Sequence, residues 1–338
     1  MTSPLSIVTC FPIMAHQLAH IRGVGGEHFQ VIESSQEEIE EKILLADIFC
    51  GHAKQMLDWT RVVQHGRLRW IQSTAAGLDH CLVPAVIESP ILVSGCSALF
   101  ATQVAEQTLA LLLGLIRSAP VFFRAQQRRD YTRRPTDILS NKRIGILGLG
   151  GNGRQIAKVL RPSVASIAGS DLFLDNCQAL INKGLVDELY DPVDLDGLLS
   201  AIDVLIVTLP LTAGNEGLIG DRELTLMKPG TYLINVGRGS VIKTAALIKH
   251  LKNGRLAAAG IDVVDPEPLP SDSELWDLDN VIITPHVGAQ SPLRVPSTVE
   301  LFCTNLVRYQ RNEGLINQVD KRLGFPRPEF RLVHPPER

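Results

Sequence analysis

No stretch of this sequence stays hydrophobic long enough to span a bilayer. The longest apolar run, Leu109–Ile116, falls far short of the ~20 residues that a transmembrane helix needs. The amino terminus, Met1-Thr-Ser-Pro-Leu-Ser-Ile-Val-Thr-Cys10, has no basic region and no extended apolar core, so no signal peptide is expected. Charge of one sign is not in excess either: 33 Lys and Arg stand against 36 Asp and Glu. That balance gives no electrostatic footprint for nucleic acid or for an anionic membrane. The six cysteines (Cys10, Cys50, Cys81, Cys96, Cys177, Cys303) include no C-x-x-C pair, and no histidine cluster has metal spacing. A disulfide framework and a metal site are therefore not expected; the thiols read as small buried hydrophobes in a reduced, cytoplasmic protein.

What is present describes an α/β protein. The length, 338 residues, suggests two domains. In the first hundred residues, strands are predicted near Ser6–Thr9, Asp47–Cys50, Arg69–Ser73 and Ile91–Ser94, with a helix over Gln36–Leu45. Gln103–Arg117 reads as a long, strongly apolar helix, buried over most of its surface. From Lys142 the pattern becomes regular. Strands are predicted at Arg143–Leu147, Ser166–Ser170, Val204–Thr208, Thr231–Val236, Ala258–Val263 and Val281–Thr284, joined largely by helical stretches. Six such strands make a doubly wound parallel sheet. A helix at Val295–Arg311 then runs into a Pro-rich tail (Phe325-Pro-Arg-Pro, His334-Pro-Pro) that reads as loop or disordered chain.

Between the two halves, Arg124–Arg134 carries five arginines and one aspartate. It reads as a solvated helix end and linker, or more sharply as an anion-binding or subunit-contact surface. Tyr131 is its one aromatic, which is too few for base stacking.

The strongest motif is Gly148-Leu-Gly150-Gly-Asn-Gly153. It follows the strand Arg143–Leu147 and opens a helix read at Arg154–Leu160, the context that a dinucleotide fingerprint requires. Gly148 allows the tight turn, Gly150 admits a pyrophosphate to the backbone, and Gly153 permits close helix packing. Asp171 closes the next strand. A carboxylate there accepts ribose hydroxyls and repels a 2′-phosphate, favouring NAD over NADP. Three further strand ends carry polar groups: Arg238 between glycines, Asp262 and Glu267 around the next strand, and His286 after the last. Singly, each is ordinarily structural. Together they are what hydride transfer to a keto acid needs: a guanidinium for the carboxylate, a histidine for the proton, and a carboxylate to orient the histidine.

On these residues the sequence resembles the D-isomer-specific 2-hydroxyacid dehydrogenases, from near its start to about Asp320. The resemblance rests on Trp70–Asp79, Val104-Ala-Glu-Gln-Thr-Leu, the glycine loop, Asn235-Val-Gly-Arg238-Gly, Gly260-Ile-Asp-Val-Val-Asp-Pro-Glu267-Pro, Thr284-Pro-His286 and Asn317-Gln-Val-Asp320. It implies a nucleotide-binding Rossmann domain, 103–291, inserted into a discontinuous flavodoxin-like substrate domain, 1–102 plus 292–338. It implies Arg238, Glu267 and His286 as the catalytic set, with Ala75, Ala76 and Gly77 holding the substrate carboxylate alongside Arg238. NAD would be lined by Gly148, Gly150, Gly151, Asn152, Gly153, Asp171, Thr208, Pro210, Val236, Gly237, Arg238, Asp262, His286 and Gly288. Asn152 departs from the aliphatic residue usual in that loop.

The expected reaction is hydride transfer between NAD(H) and C2 of a small D-2-hydroxy acid or 2-keto acid, of the glyoxylate, hydroxypyruvate, D-lactate, D-glycerate or 3-phosphoglycerate kind. Formate-oxidising relatives carry Gln where this chain has Glu267. The alternative is an NAD-responsive regulatory protein of the same fold, resembling a corepressor. The resemblance also implies a homodimer formed through the cofactor domain at the Gln103–Arg117 helix. No nucleic-acid or membrane partner is expected.

Overall fold

Runs such as Val204-Leu-Ile-Val207 and Thr231-Tyr-Leu-Ile-Asn235 are buried at every position. Strands of that kind belong in a parallel sheet covered by helices on both faces. The computed structural model describes residues 4–332 and builds two such sheets in two units. One unit is Met1–Phe100 with Ser291–Arg338, and the other is Ala101–Gln290.

In the discontinuous unit, β1 (Leu5–Cys10), β2 (Phe29–Glu33), β3 (Ile48–Gly51), β4 (Trp70–Ser73) and β5 (Leu92–Ser94) pair in parallel in the order β2-β1-β3-β4-β5. That is the flavodoxin-like order. One face packs Val8, Phe49 and Ile71 against Ile39, Trp59 and Val86. The other packs Ile7, Ile48 and Trp70 against Ile21, Phe302 and Leu306, with Trp70 stacked on Tyr309 at 5.3 Å.

In the second unit, β6 (Arg143–Leu147), β7 (Ser166–Ser170), β8 (Glu188–Tyr190), β9 (Val204–Val207), β10 (Thr231–Asn235), β11 (Leu256–Ile261) and β12 (Val281–Ile283) form a parallel sheet ordered β12-β11-β10-β9-β6-β7-β8. This is the doubly wound dinucleotide-binding order with a further strand at one edge. The helices Ala101–Ile116 and Gly151–Leu160 cover one face, and Leu195–Ala201 and Thr244–Lys252 the other. Among the described residues, no single helix is long and apolar enough to cross a membrane.

Several sequence expectations need correction. Two edge strands, β2 and β8, were invisible to a reading built on apolar runs. β2 buries only Phe29 fully, and β8 has no fully buried residue. The second sheet therefore has seven strands rather than six. The helix expected over Gln36–Leu45 shrinks to Ile39–Lys42 with a 3-10 turn, Ile43–Leu45. Ser35 and Glu38 bond each other's backbone, and Gln36 is committed to the His52 carbonyl at 3.1 Å. The Gln36 bond holds the chain out of the helix, while the Ser35–Glu38 pair is a capping box that starts it. The strand expected at Ala258–Val263 starts two residues earlier, where Leu256 pairs with Thr231. Part of the tail is ordered: Val319–Asp320 pairs antiparallel with Phe325–Pro326. Asp320 accepts from the Arg322 and Leu323 amides, and Gly324 takes φ +82. The His334-Pro-Pro stretch lies outside the described residues.

Candidate active site

Because all seven strands of the second sheet run parallel, their carboxyl ends share one edge. β6 and β9 are neighbours there, and the chain winds away from them in opposite directions. Ligands of open α/β sheets bind at such a switch point.

The glycine loop leaves β6 at this point. Gly148 sits at φ +95, a conformation that side-chain-bearing residues rarely adopt. A Cβ on Gly153 would stand 1.9 Å from the Gly148 carbonyl oxygen, so any other residue would push the helix off the loop. Thr208, just past β9, donates to the Gly148 carbonyl at 2.7 Å and seals the turn from the other side. At Gly150, by contrast, an added Cβ would meet nothing within 4 Å. Open space thus lies in front of the loop, and the helix Gly151–Leu160 begins there without a side-chain cap. Amides of a first helical turn seek an anion. Asp171, 9% exposed, stands at the end of β7. Its Oδ2 accepts from the Leu149 amide at 2.8 Å and its Oδ1 from the Phe173 amide at 2.9 Å. Loop, uncapped helix and fixed carboxylate fit a dinucleotide with its diphosphate on the helix and a ribose at Asp171.

The next strands carry the side chains expected to react. Past β10, the Asn235 side chain accepts from the Gly237 amide at 3.1 Å and donates to the Arg238 carbonyl at 2.9 Å. This clasp sets the direction in which the chain presents Arg238. The glycines beside Arg238 are needed for space: a Cβ on Gly239 would fall 1.9 Å from the Val264 carbonyl oxygen, and one on Gly237 2.6 Å from that of Leu209. Val236 donates to Val207 and is buried, while the Pro210 carbonyl accepts from Asn215. The 208–210 and 236–238 loops therefore abut.

His286, three positions past β12, holds φ +54. That backbone state is costly for a residue other than glycine, and it persists only where neighbours enforce it. Here the His286 amide donates to the Asp262 carbonyl at 2.8 Å. The Asp262 carboxylate, 3% exposed, accepts from Thr284 Oγ1 at 2.6 Å, from the Val287 amide at 3.0 Å and from the Gly288 amide at 2.8 Å. Gln107 in turn donates to Thr284 Oγ1 at 2.9 Å. The ring so positioned places Nδ1 2.7 Å from Glu267 Oε1. Both side chains are 42% exposed, so solvent and reactants reach them. With Nδ1 engaged, Nε2 is the nitrogen left to exchange a proton.

The structure thus brings His286 and Glu267 into contact and joins the glycine loop to Asp171. It gives Asp262 a backbone-holding task beyond any contact with cofactor. Ala75, Ala76 and Gly77 belong to the other unit, in the turn after β4. There the Ala75 amide donates to Ser73 Oγ at 3.1 Å, and its carbonyl accepts from Cys96 at 2.9 Å. Sequence reasoning assigned no role to Asn235, Thr284 or Gln107. Their signal was adjacency to Arg238 and His286, and position on the apolar helix, none of which names a hydrogen bond. Among the described residues, no group of three or more His, Cys, Asp or Glu side chains is placed to hold a metal.

Residues 109–288 match the family model for the NAD-binding domain of D-isomer-specific 2-hydroxyacid dehydrogenases. A glyoxylate reductase from Pyrococcus furiosus is 30% identical over 83% of this chain and 84% of its own length. Glyoxylate/hydroxypyruvate reductase B from Pectobacterium atrosepticum is 35% identical over 67% and 71%. The crystal structure of a D-isomer-specific 2-hydroxyacid dehydrogenase from Xanthobacter autotrophicus, solved with NADPH and MES, superposes with a TM-score of 0.78. That comparison covers 96% of this chain and all of the other at 24% identity. The fold and its strand-end site are those of a nicotinamide-dependent oxidoreductase. The chain belongs to the D-isomer-specific 2-hydroxyacid dehydrogenase family.

Proposed function

We propose that this protein interconverts a small D-2-hydroxy acid and its 2-keto acid, with NAD(H) preferred, as a homodimer. The observation that carries the reading is the 2.7 Å contact between His286 Nδ1 and Glu267 Oε1, on the sheet edge that also carries Arg238 and the glycine loop. The bound nicotinamide supplies or accepts the hydride. Arg238 offers a planar fork to the substrate carboxylate and keto oxygen. In reduction, His286 releases the Nε2 proton to the oxygen of the former keto group, and in oxidation it takes that proton back. Glu267 holds the ring in one orientation and balances the imidazolium charge. Without this pair the hydroxyl proton would have no acceptor, so the pair fits alcohol chemistry rather than formate oxidation.

The preference for NAD rests on Asp171, which is followed by Leu172 and Phe173 and not by an arginine. Dimer formation is supported by the bent helix pair Ala101–Ile116 and Ala119–Gln127, which leaves Leu113 and Phe123 exposed at 43% and 65%. The test is a panel of glyoxylate, hydroxypyruvate, pyruvate and 3-phosphohydroxypyruvate with NADH and NADPH, followed by the absorbance of the reduced nicotinamide. Turnover with at least one acid and higher kcat/KM for NADH is expected. No turnover of any acid, with NADH still bound, would overturn the enzymatic reading. A sedimentation mass of one chain would overturn the dimer.

A further inference from the structure

The glycine-loop helix carries a guanidinium that the reaction does not use. Arg154 donates from Nε to the Leu149 carbonyl at 2.7 Å and from Nη2 to the Asn176 carbonyl at 2.9 Å. Leu149 is the residue between the first two glycines of the loop, and its amide donates to Asp171 Oδ2. Its side chain is fully buried, and the residue is held at both ends, by a carboxylate at its amide and a guanidinium at its carbonyl. Asn176 lies in the 3-10 turn Leu174–Cys177, and its amide donates to the Phe173 carbonyl at 3.1 Å. The Phe173 amide returns to Asp171 Oδ1. The bonds close a ring: Asp171, Leu149, Arg154, Asn176, Phe173 and Asp171 again.

We propose that Arg154 is a positioning residue for cofactor selectivity, fixing Asp171 through this ring so that its carboxylate meets a ribose diol and cannot swing away from a 2′-phosphate. The inference rests on the reading that Asp171 receives the adenosine ribose. A carboxylate discriminates against a phosphate only while it is held in place; a mobile one rotates into solvent and relieves the repulsion. Both Asp171 oxygens are already committed to backbone amides. The orientation of the carboxylate is therefore that of the loop, and Arg154 is a second side chain, beside Asp171 itself, that ties the loop to the turn beyond β7. A two-pronged guanidinium can hold both carbonyls at once. A lysine ammonium offers a point charge on a flexible stem.

Arg154→Met and Arg154→Lys should be compared with the parent by calorimetric titration of NADH and NADPH without substrate, and by kcat and KM for each cofactor. In Arg154→Met, the Kd of NADH should rise on the order of tenfold, the equivalent of one charge-assisted bond. The Kd of NADPH should change much less, so the preference narrows. Arg154→Lys should fall between the two, and kcat at saturating NADH should stay near the parent value in both. Equal weakening of both cofactors, fully restored by lysine, would overturn the proposal in favour of simple attraction between Arg154 and the diphosphate. An unchanged preference in both variants would overturn it as well. A parent that binds NADPH as tightly as NADH would instead remove the reading of Asp171 on which the inference stands. Circular dichroism of the variants separates these results from misfolding, and the lysine variant keeps the test open if the methionine variant does not fold.

Discussion

Asp262→Asn is the substitution that most directly tests whether the position of His286 is enforced from below. The change removes no volume and only one oxygen. The Asp262 carboxylate is buried and accepts three hydrogen bonds: two at Oδ1, from Thr284 Oγ1 and the Val287 amide, and one at Oδ2, from the Gly288 amide. An asparagine must put an NH2 group where one oxygen stood. Placed at Oδ1, it faces the Val287 amide, and Thr284 loses the acceptor for its hydroxyl proton. Placed at Oδ2, it faces the Gly288 amide, donor against donor. The second choice sacrifices one bond rather than two, so it is the one the side chain would take. A buried amide left without a partner costs about 1–3 kcal/mol, and the surviving bonds weaken once the charge has gone. The sum is about 2–4 kcal/mol. A domain of this size loses about 2–4 °C in Tm per kcal/mol, so thermal unfolding should shift by about 4–16 °C. The activity loss should exceed what the folded fraction explains. Gly288 and Val287 directly follow His286, and a displacement of the ring by ~1 Å is enough to lower the rate about 10²-fold. The measurements are calorimetric unfolding and kcat at a temperature where both proteins are fully folded. A variant with parental kcat and a Tm within 1 °C (well below the ~4 °C minimum) would refute the claim that Asp262 holds the histidine turn.

Glu267→Gln keeps a side chain of the same shape but removes the negative charge beside Nδ1. The ring loses its charged acceptor at Nδ1, so kcat for keto-acid reduction should fall on the order of 10²-fold, with KM for the acid near the parent value. kcat for hydroxy-acid oxidation should fall with it; parental kcat in both directions would break the pairing. Arg238→Lys should lower kcat/KM for the keto acid by about 10³ while leaving NADH binding close to the parent value, because an ammonium lacks the planar fork. Near-normal activity would misplace the carboxylate site. Gly153→Ala should abolish NADH binding in titrations, since its Cβ would collide with the Gly148 carbonyl at 1.9 Å; retained affinity would mean that the loop is not the nucleotide cradle. All six cysteines are buried thiols outside any disulfide, and burial pushes Cys81, Cys96 and Cys303 up to about 12. Thiol reagents at pH 8 should therefore label these three only after denaturant is added, and rapid labelling of the native protein would contradict the packing.

Legibility in the sequence followed the physics of each signal. The strands Arg143–Leu147 and Ser166–Ser170 were readable to the residue because continuous apolar runs, bounded by glycine or aspartate, have few other uses. Glu188-Leu-Tyr190 was not, because an edge strand shares only one hydrogen-bonded neighbour and needs no apolar run. The Gln36–Leu45 stretch misled because its acidic-then-apolar pattern suits a helix, while Gln36 spends its side chain on the His52 carbonyl. At the site, the glycine loop, Asp171, Arg238, Glu267 and His286 could be named because chemistry restricts which residue types can do those jobs. The pairing of residues 267 and 286 came from the resemblance, while its 2.7 Å geometry depends on how two loops from adjacent strands fold back.

The residues whose holding role escaped notice share a property. Asn235, Asp262 and Arg154 spend their polar atoms largely on backbone amides and carbonyls, which every residue carries, so the partner leaves no mark in the sequence. Groups that touch reactants are limited by chemical identity. Groups that hold the backbone are limited by geometry, and their requirements are narrower in a different way. Arg238 could be tested by asking whether another cation serves. For Asp262 the question is whether another acceptor fits within the same buried volume, and a glutamate, with the right charge but one methylene too many, has no room: a Cβ on Gly288 would already come within 2.9 Å of Asp262 Oδ2. Retention of charge therefore rescues neither: Arg238→Lys keeps the fold but loses the planar fork, whereas Asp262→Glu loses the packing around the buried carboxylate as well. The two kinds of position should separate in a substitution series even though both lie on the same three strand ends.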